Sequence, residues 1–150
     1  MQRRTLLKGM ILLAGANVGS AATDDAPQLV RVLSQWDRDE HDFATIGQMV
    51  LNKGLHRGQR VISEAWIAGS LKPSVSIGSA DPYADEYGYF WYHKTHTIAG
   101  RSVAVSFASG NGGNKLYLIP SRELVVAITS RAYGRGYGQR RSEDILKALL

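Results

Sequence analysis

A glycine-rich stretch between two runs of strand-forming residues constrains the fold of this chain most. It reads Ala108-Ser109-Gly110-Asn111-Gly112-Gly113-Asn114. Residues 101–107 before it alternate polar and apolar side chains, and residues 115–119 after it are mostly apolar and end at Pro120. Two such runs joined by Asn-Gly predict a hairpin or a tight strand junction. The stretch is either a plain turn or a loop that exposes peptide N–H groups, because glycines let another group approach the backbone.

The first 22 residues have the layout of an export signal. Arg3, Arg4 and Lys8 form a charged start, an apolar middle runs from Gly9 to Gly19, and small residues occupy positions 20–22. The paired arginines are similar to those of twin-arginine signals. Because a membrane span needs about 20 apolar residues, we predict cleavage, no stable membrane span afterwards, and a periplasmic or extracellular location. The alternative is an anchor that stays in the membrane.

Charge, cysteine and histidine content exclude several function classes. Removal of residues 1–22 would lower the net charge from +5 to +2. No recognition helix or zinc-finger spacing accompanies the basic residues, so we predict no nucleic-acid partner. The chain has no cysteine and therefore no disulfide or thiol chemistry. His93 and His96 lack a third ligand nearby, so we interpret them as exposed loop residues and predict no metal and no cofactor.

Residues 42–150 predict an α+β fold, with an antiparallel sheet of about four strands flanked by helices. Residues 23–41 are interpreted as a linker or frayed helix. The predicted elements, in chain order, are a helix from Asp42 to Gly54, a helix from Ser63 to Pro73, a loop over residues 72–85, a strand over residues 87–93, the two strands around the glycine-rich stretch, a buried strand over residues 123–130, and a helix capped by Ser142.

The aromatic strand allows two interpretations. Its rings are Tyr87, Tyr89, Phe90, Trp91 and Tyr92. Aromatic side chains suit a half-buried pleated surface, which favours core packing beneath the helices. The alternative is a stacking platform for sugar rings.

Several segments, in consistent order, resemble the C-terminal third of serine β-lactamase-related proteins. That family includes class C β-lactamases, penicillin-binding carboxypeptidases, esterases and 6-aminohexanoate-oligomer hydrolases. The segments are residues 42–54, 58–66, 87–91 and 110–113, and Pro120 before residues 124–126. The resemblance covers residues 42–150 and implies a partial β-lactamase/transpeptidase-like fold, in which one strand carries a motif of the Lys-Thr-Gly type beside the active site.

By this resemblance, either Ala108-Ser109-Gly110 or the adjoining Asn111-Gly112-Gly113 would take the place of that motif. The resemblance implies that Ser109, Gly110, Asn111, Gly112 and Gly113 bind substrate, since the motif strand offers backbone groups to the substrate carbonyl. No Lys or His stands at its first position.

The catalytic motifs of the family are missing from this chain. The family's nucleophile lies in Ser-x-x-Lys, a spacing that puts both side chains on one helix face. In this chain no serine stands three positions before any of the six lysines. The family's second motif, Tyr-x-Asn, is absent at all seven tyrosines. We therefore predict no catalytic residue here and a truncated serine hydrolase, inactive alone.

The parent activity would be acyl transfer at an amide, lactam or ester. A small-molecule or peptide-like substrate would be processed only if another chain supplied the nucleophile. The alternatives are a non-catalytic periplasmic binding module for cell-wall peptide or glycan, and a chain without function.

Overall fold

The computed structural model describes residues 10–14 and 38–150, with side chains from Asp42 onward. The helices of this part of the chain are α1 (Arg38–Leu51), α2 (Glu64–Ser70) and α3 (Tyr137–Leu149). Its strands are β1 (Met10–Ala14), β2 (Leu55–His56), β3 (Gln59–Arg60), β4 (Val75–Ser76), β5 (Glu86–Gly88), β6 (Trp91–Ile98), β7 (Arg101–Gly110), β8 (Asn114–Ile119) and β9 (Leu124–Ile128).

Seven of these strands form one antiparallel sheet in the order β1-β9-β8-β7-β6-β5-β4. The α+β class and the antiparallel sheet are confirmed, and β7 and β8 form the predicted hairpin. The expectation of about four strands is wrong, since six strands lie between Val75 and Ile128 alone. The predicted aromatic strand is in fact β5 and the start of β6, separated by a turn at Tyr89 and Phe90, and the two-residue β4 is too short to show a periodicity.

The sheet has a helical layer on each face. On one face, Phe107, Tyr117 and Val126 belong to the core cluster that contains Leu146 of α3. On the other face, Leu116, Leu118 and Val125 cluster with Ala44 and Val50 of α1 and with Ile67 of α2. Because β8 and β9 are buried on both faces, their sequences are nearly continuous apolar runs.

Helix α1 approaches the sheet closely at Gly47. A Cβ atom at this position would lie 2.6 Å from Val125 Cγ1 and 2.8 Å from Leu116 Cδ1. The missing side chain therefore sets how close the helix lies to β8 and β9.

Two helix starts differ from the prediction and one agrees. Helix α1 begins at Arg38, so Asp42 is inside it, and residues 38–41 of the segment interpreted as a linker or frayed helix are helix. Helix α3 begins at Tyr137, and Ser142 is buried within it. The predicted helix start at Ser63 agrees with the structure, where Ser63 is the N-cap of α2 and its Oγ accepts a hydrogen bond of 3.1 Å from the Trp66 amide.

The histidine interpretation is also wrong. His93 and His96 lie in β6 and are partly buried, and the Nε2 atom of each is buried without a hydrogen-bond partner in the part of the chain that the structure describes. Strand alternation places them on opposite faces of the sheet, because a residue and its third neighbour point to opposite sides. No group of three metal-ligating side chains occurs within the described residues.

The predicted export signal, residues 1–22, and the predicted linker, residues 23–41, lie largely outside the described residues. The described part of the signal, Met10–Ala14, is strand β1. It pairs with β9 from Met10 opposite Ile128 to Ala14 opposite Leu124.

Candidate functional site

Strand β7 extends beyond its neighbour β6 at the glycine-rich end. Its pairing with β6 runs from Arg101 to Phe107, whereas its pairing with β8 continues to Gly110. Ser109 and Gly110 are exposed. One edge of β7 therefore projects past β6 at two of the five residues that the resemblance predicts to bind substrate.

The loop after β7 is fixed in place by side chains on both sides. Asn111 accepts a hydrogen bond on Oδ1 from the Gly134 amide at 3.2 Å. The Asn114 side chain donates to the Asn111 carbonyl at 2.6 Å and accepts from the Ser130 amide at 2.8 Å. The two asparagines thus hold the loop in one shape against the segment that follows β9.

Gly112 and Gly113 are buried contact points for α3 and the segment before it. Both have positive φ, 82° and 87°, a region that favours glycine. A Cβ at Gly112 would lie 3.0 Å from the Tyr133 amide nitrogen, and one at Gly113 would collide with the Gly138 carbonyl. The Ser142 hydroxyl also donates to the Gly113 carbonyl at 2.6 Å.

The five predicted binding residues therefore divide into two groups. Ser109, Gly110 and Asn111 are exposed, while Gly112 and Gly113 are buried. Gln139 of α3 connects the exposed group to the helix: its side chain donates to the Gly110 carbonyl at 2.9 Å, and its Oε1 lies 3.4 Å from Ser109 Oγ. The exposed group is the part that a ligand can reach.

The aromatic turn lies at the same end of the sheet. Tyr92 pairs with Phe107, so the turn that precedes β6 lies beside the projecting end of β7. Phe90 is 83% exposed and Tyr89 is 64% exposed. The Tyr89 ring makes an edge contact with the Trp66 ring, with 6.4 Å between centroids, and these three rings are called the aromatic patch below.

The other rings of the predicted aromatic strand, Tyr87, Trp91 and Tyr92, are partly buried. Tyr92 lies between Tyr87 and Phe107, with centroid separations of 4.7 Å and 5.3 Å, and Phe107 contacts Tyr117 at 5.4 Å. Burial raises the pKa of Tyr92. The interpretation of core packing therefore fits Tyr87 and Tyr92, whereas Tyr89 and Phe90 are exposed.

A buried charged cluster joins α3 to the sheet, and sequence reasoning missed it. The Tyr117 hydroxyl donates to Glu143 Oε1 at 2.7 Å, and Lys115 Nζ lies 3.8 Å from the same oxygen and 4.4 Å from the Phe107 ring centroid. Burial lowers the pKa of Lys115, against the opposing effect of Glu143, and burial raises the pKa of Tyr117. The one sequence feature that could have indicated this cluster is Lys115, which stands at the start of an apolar run, two positions before Tyr117.

No protein-family model and no curated protein sequence matches this chain. Within the described residues, none of the helices has both the length and the apolar character needed to cross a bilayer.

Proposed function

We propose that this chain is the C-terminal portion of a serine β-lactamase-related hydrolase domain and that it is exported. It supplies the sheet wall of an acyl-transfer cleft, in which Ser109, Gly110 and Asn111 contact the substrate. A second polypeptide with Ser-x-x-Lys supplies the nucleophile, so this cleft is inactive when the chain is alone.

The projecting end of β7 is the observation that carries this proposal. Backbone groups at the end of a strand are fixed by the sheet, so they can act as preorganised donors and acceptors toward a carbonyl. Asn111, Asn114 and Gln139 hold this segment through the hydrogen bonds described above. A rigid, exposed strand end next to a loop is suited to line a cleft but offers no activated nucleophile of its own.

Because two asparagines hold the loop, the buried glycines have a supporting role. Gly112 and Gly113 bring the loop against α3, and this contact fixes the direction in which Asn111 leaves the strand. The proposal therefore assigns substrate contact to the exposed group and positioning to the buried pair.

Amide NMR spectra of the full chain test this function. On titration with a D-Ala-D-Ala dipeptide, we expect saturable shifts at Ser109, Gly110 and Asn111. Strand β3, which belongs to the separate two-stranded sheet, provides the internal control through Gln59 and Arg60. Shifts spread evenly over the chain, or none in a folded sample, would contradict a substrate-binding wall.

Intact-mass analysis after incubation with benzylpenicillin tests the second part of the proposal. We expect no penicilloyl adduct, because no serine has the lysine partner that the family uses. A stoichiometric penicilloyl adduct would show that the chain holds a complete active site.

The aromatic patch favours a second candidate, a binding module for cell-wall peptide or glycan. Tyr89 and Phe90 have φ values of 48° and 72°, positions where Asn-Gly is preferred in a two-residue hairpin turn. Large exposed rings in this conformation cost stability, and such cost is typical of functional sites. Stacking of a sugar ring on exposed aromatic side chains would use them directly.

Binding of a soluble muropeptide to the full chain distinguishes the two candidates. A binding module predicts saturable affinity that Phe90→Gly weakens by about tenfold, the loss of roughly 1.4 kcal/mol of contact. Val75→Ser is the matched control, because Val75 is 53% exposed and lies on β4, outside the aromatic patch. Equal affinity of both variants would exclude the patch as the binding surface.

A further inference from the structure

Ser106 and His93 form a hydrogen-bonded pair on neighbouring strands. They are direct cross-strand partners in the pairing of β7 with β6, so their side chains leave the same face of the sheet. Ser106 Oγ lies 3.1 Å from His93 Nδ1, and both residues are partly buried. This is the spacing that a nucleophile and its general base need.

The electrostatic surroundings favour neutral His93. Burial lowers the pKa of His93, and Glu86, its cross-strand partner on β5, opposes this shift more weakly. A neutral imidazole near pH 7 can accept the Ser106 proton on Nδ1. Its other nitrogen, Nε2, is buried and has no partner among the described residues, so the ring is held by Ser106 alone in this geometry.

An open cavity of about 160 Å³ gives access to the pair. Pro73, Glu86, Thr95 and Ala104 line it together with His93 and Ser106. The volume suits a small acyl or phosphonyl group and not a bulky bicyclic lactam. The Thr95 side chain supplies a hydroxyl in the same cavity, a group that can donate a hydrogen bond to a substrate oxygen.

We propose that Ser106 is a nucleophile, activated by His93, that accepts a small acyl or phosphonyl group from activated esters and fluorophosphonates. With an ester, a bond forms between Ser106 Oγ and the carbonyl carbon while the proton moves to His93 Nδ1. The bond from that carbon to the leaving oxygen then breaks, and the leaving alkoxide takes the proton from His93. Water subsequently hydrolyses the acyl-serine with the same base.

This site is independent of the cleft proposed above. Ser106 lies three residues before Ser109 on β7, roughly 10 Å along the strand at 3.4 Å per residue, and its side chain points to the other face of the sheet. Ser106 and His93 also stand outside the Ser-x-x-Lys spacing. Either site can therefore fail without the other.

A fluorophosphonate probe on the full chain tests the proposal. The Oγ–phosphorus bond forms, the phosphorus–fluorine bond breaks, and the serine proton passes through His93 to solvent as fluoride leaves. We expect one adduct on the peptide that contains Ser106, absent in Ser106→Ala. In His93→Gln the labelling rate should fall by about 100-fold or more, the scale of a lost general base.

Ser102→Ala is the matched control, since Ser102 is an exposed serine on the same face of β7 and pairs with Thr97 instead of a histidine. It should label at the wild-type rate. Because burial lowers the pKa of His93 below 6.5, the ordinary value of histidine, the wild-type rate should also rise with pH through a single step below pH 6.5. The charged residues that line the same cavity are Asp85, Glu86 and Lys94.

Three outcomes would overturn the proposal. They are the absence of an adduct in a sample whose amide NMR spectrum shows a folded chain, an adduct that persists in Ser106→Ala, and equal labelling rates in His93→Gln and wild type. None of these bears on binding at Ser109, Gly110 and Asn111, so failure here is distinguishable from failure of the proposed function.

Discussion

At the scale of single residues, Gly113 is the position where the loop and α3 are most tightly fitted. Gly113→Ala would place a methyl group against the Gly138 carbonyl and 3.0 Å from Ser142 Oγ, at a φ of 87°. We expect the free energy of unfolding to fall by about 1 kcal/mol because of the backbone conformation. Overpacking should lower it by a further 1–3 kcal/mol, roughly. Urea denaturation measures the free energy of unfolding.

Gly100 provides the control for that substitution. Its φ is 76°, but no atom lies within 4 Å of the position a Cβ would take. Gly100→Ala should therefore lower the free energy of unfolding only by the cost of the backbone conformation, about 1 kcal/mol. Equal losses in the two variants would show that the contact between the loop and α3 contributes nothing.

His96 makes stability depend on pH. Burial lowers its pKa below the ordinary value of 6.5. Between that lowered pKa and 6.5 the unfolded chain binds more protons than the folded one, so the free energy of unfolding falls as the pH is reduced through this window. Urea midpoints at pH 7.5 and pH 5 should differ less in His96→Gln than in wild type.

His93→Gln is the companion variant, because burial lowers the pKa of His93 in the same direction. The variant that carries both substitutions should show the smallest difference between the urea midpoints at pH 7.5 and pH 5. An unchanged difference in all three variants would assign the acid sensitivity to other groups.

At the scale of elements, the turn between β5 and β6 carries residues that its geometry disfavours. Phe90 has a φ of 72° and is 83% exposed, so Phe90→Gly removes backbone strain with little loss of packing. We expect a gain of about 1 kcal/mol in the free energy of unfolding. Thr97→Gly, at an exposed position inside β6, should instead lower the free energy of unfolding by about 0.5–1 kcal/mol. A lower free energy of unfolding in both variants would contradict backbone strain at Phe90.

The same turn marks the limit of what could be predicted from the sequence. The buried run of β9, the hairpin of β7 and β8, and the helix start at Ser63 follow from periodicity and local residue preferences, and the structure has them. Five aromatic residues in six positions gave no turn signal, because Tyr-Phe occupies the place of Asn-Gly. One long aromatic strand was therefore predicted where there are two.

The candidate site shows a similar limit. The glycine-rich stretch identified the projecting end of β7, because Gly and Asn have local conformational preferences that sequence reveals. The pairing of His93 with Ser106, and of Lys115 with Glu143, depends on strand register and on the docking of α3. The residues of the first pair are 13 positions apart in sequence, and those of the second pair are 28 positions apart. Contacts at such separations leave no local pattern, so neither pair could be predicted.

At the scale of the whole molecule, the predicted export signal and the sheet use the same residues. Strand β1 covers the edge of β9 over five residue pairs, and cleavage after position 22 would remove it. Strand β9 would then present unpaired backbone groups, a template for pairing with other chains. The full chain and the mature chain are therefore expected to differ in more than length.

Hydrogen exchange on the full chain and on residues 23–150 measures that difference. Because each lost hydrogen bond contributes about 1 kcal/mol, we expect protection of the β9 amides to fall by on the order of tenfold in the shorter chain, together with concentration-dependent association. A peptide spanning residues 8–16, added in trans, should restore protection, and the same peptide with Leu12→Pro should not, because proline cannot donate to the ladder. Equal protection in both chains would show that β1 contributes no stability, and export with cleavage would then leave the sheet unchanged.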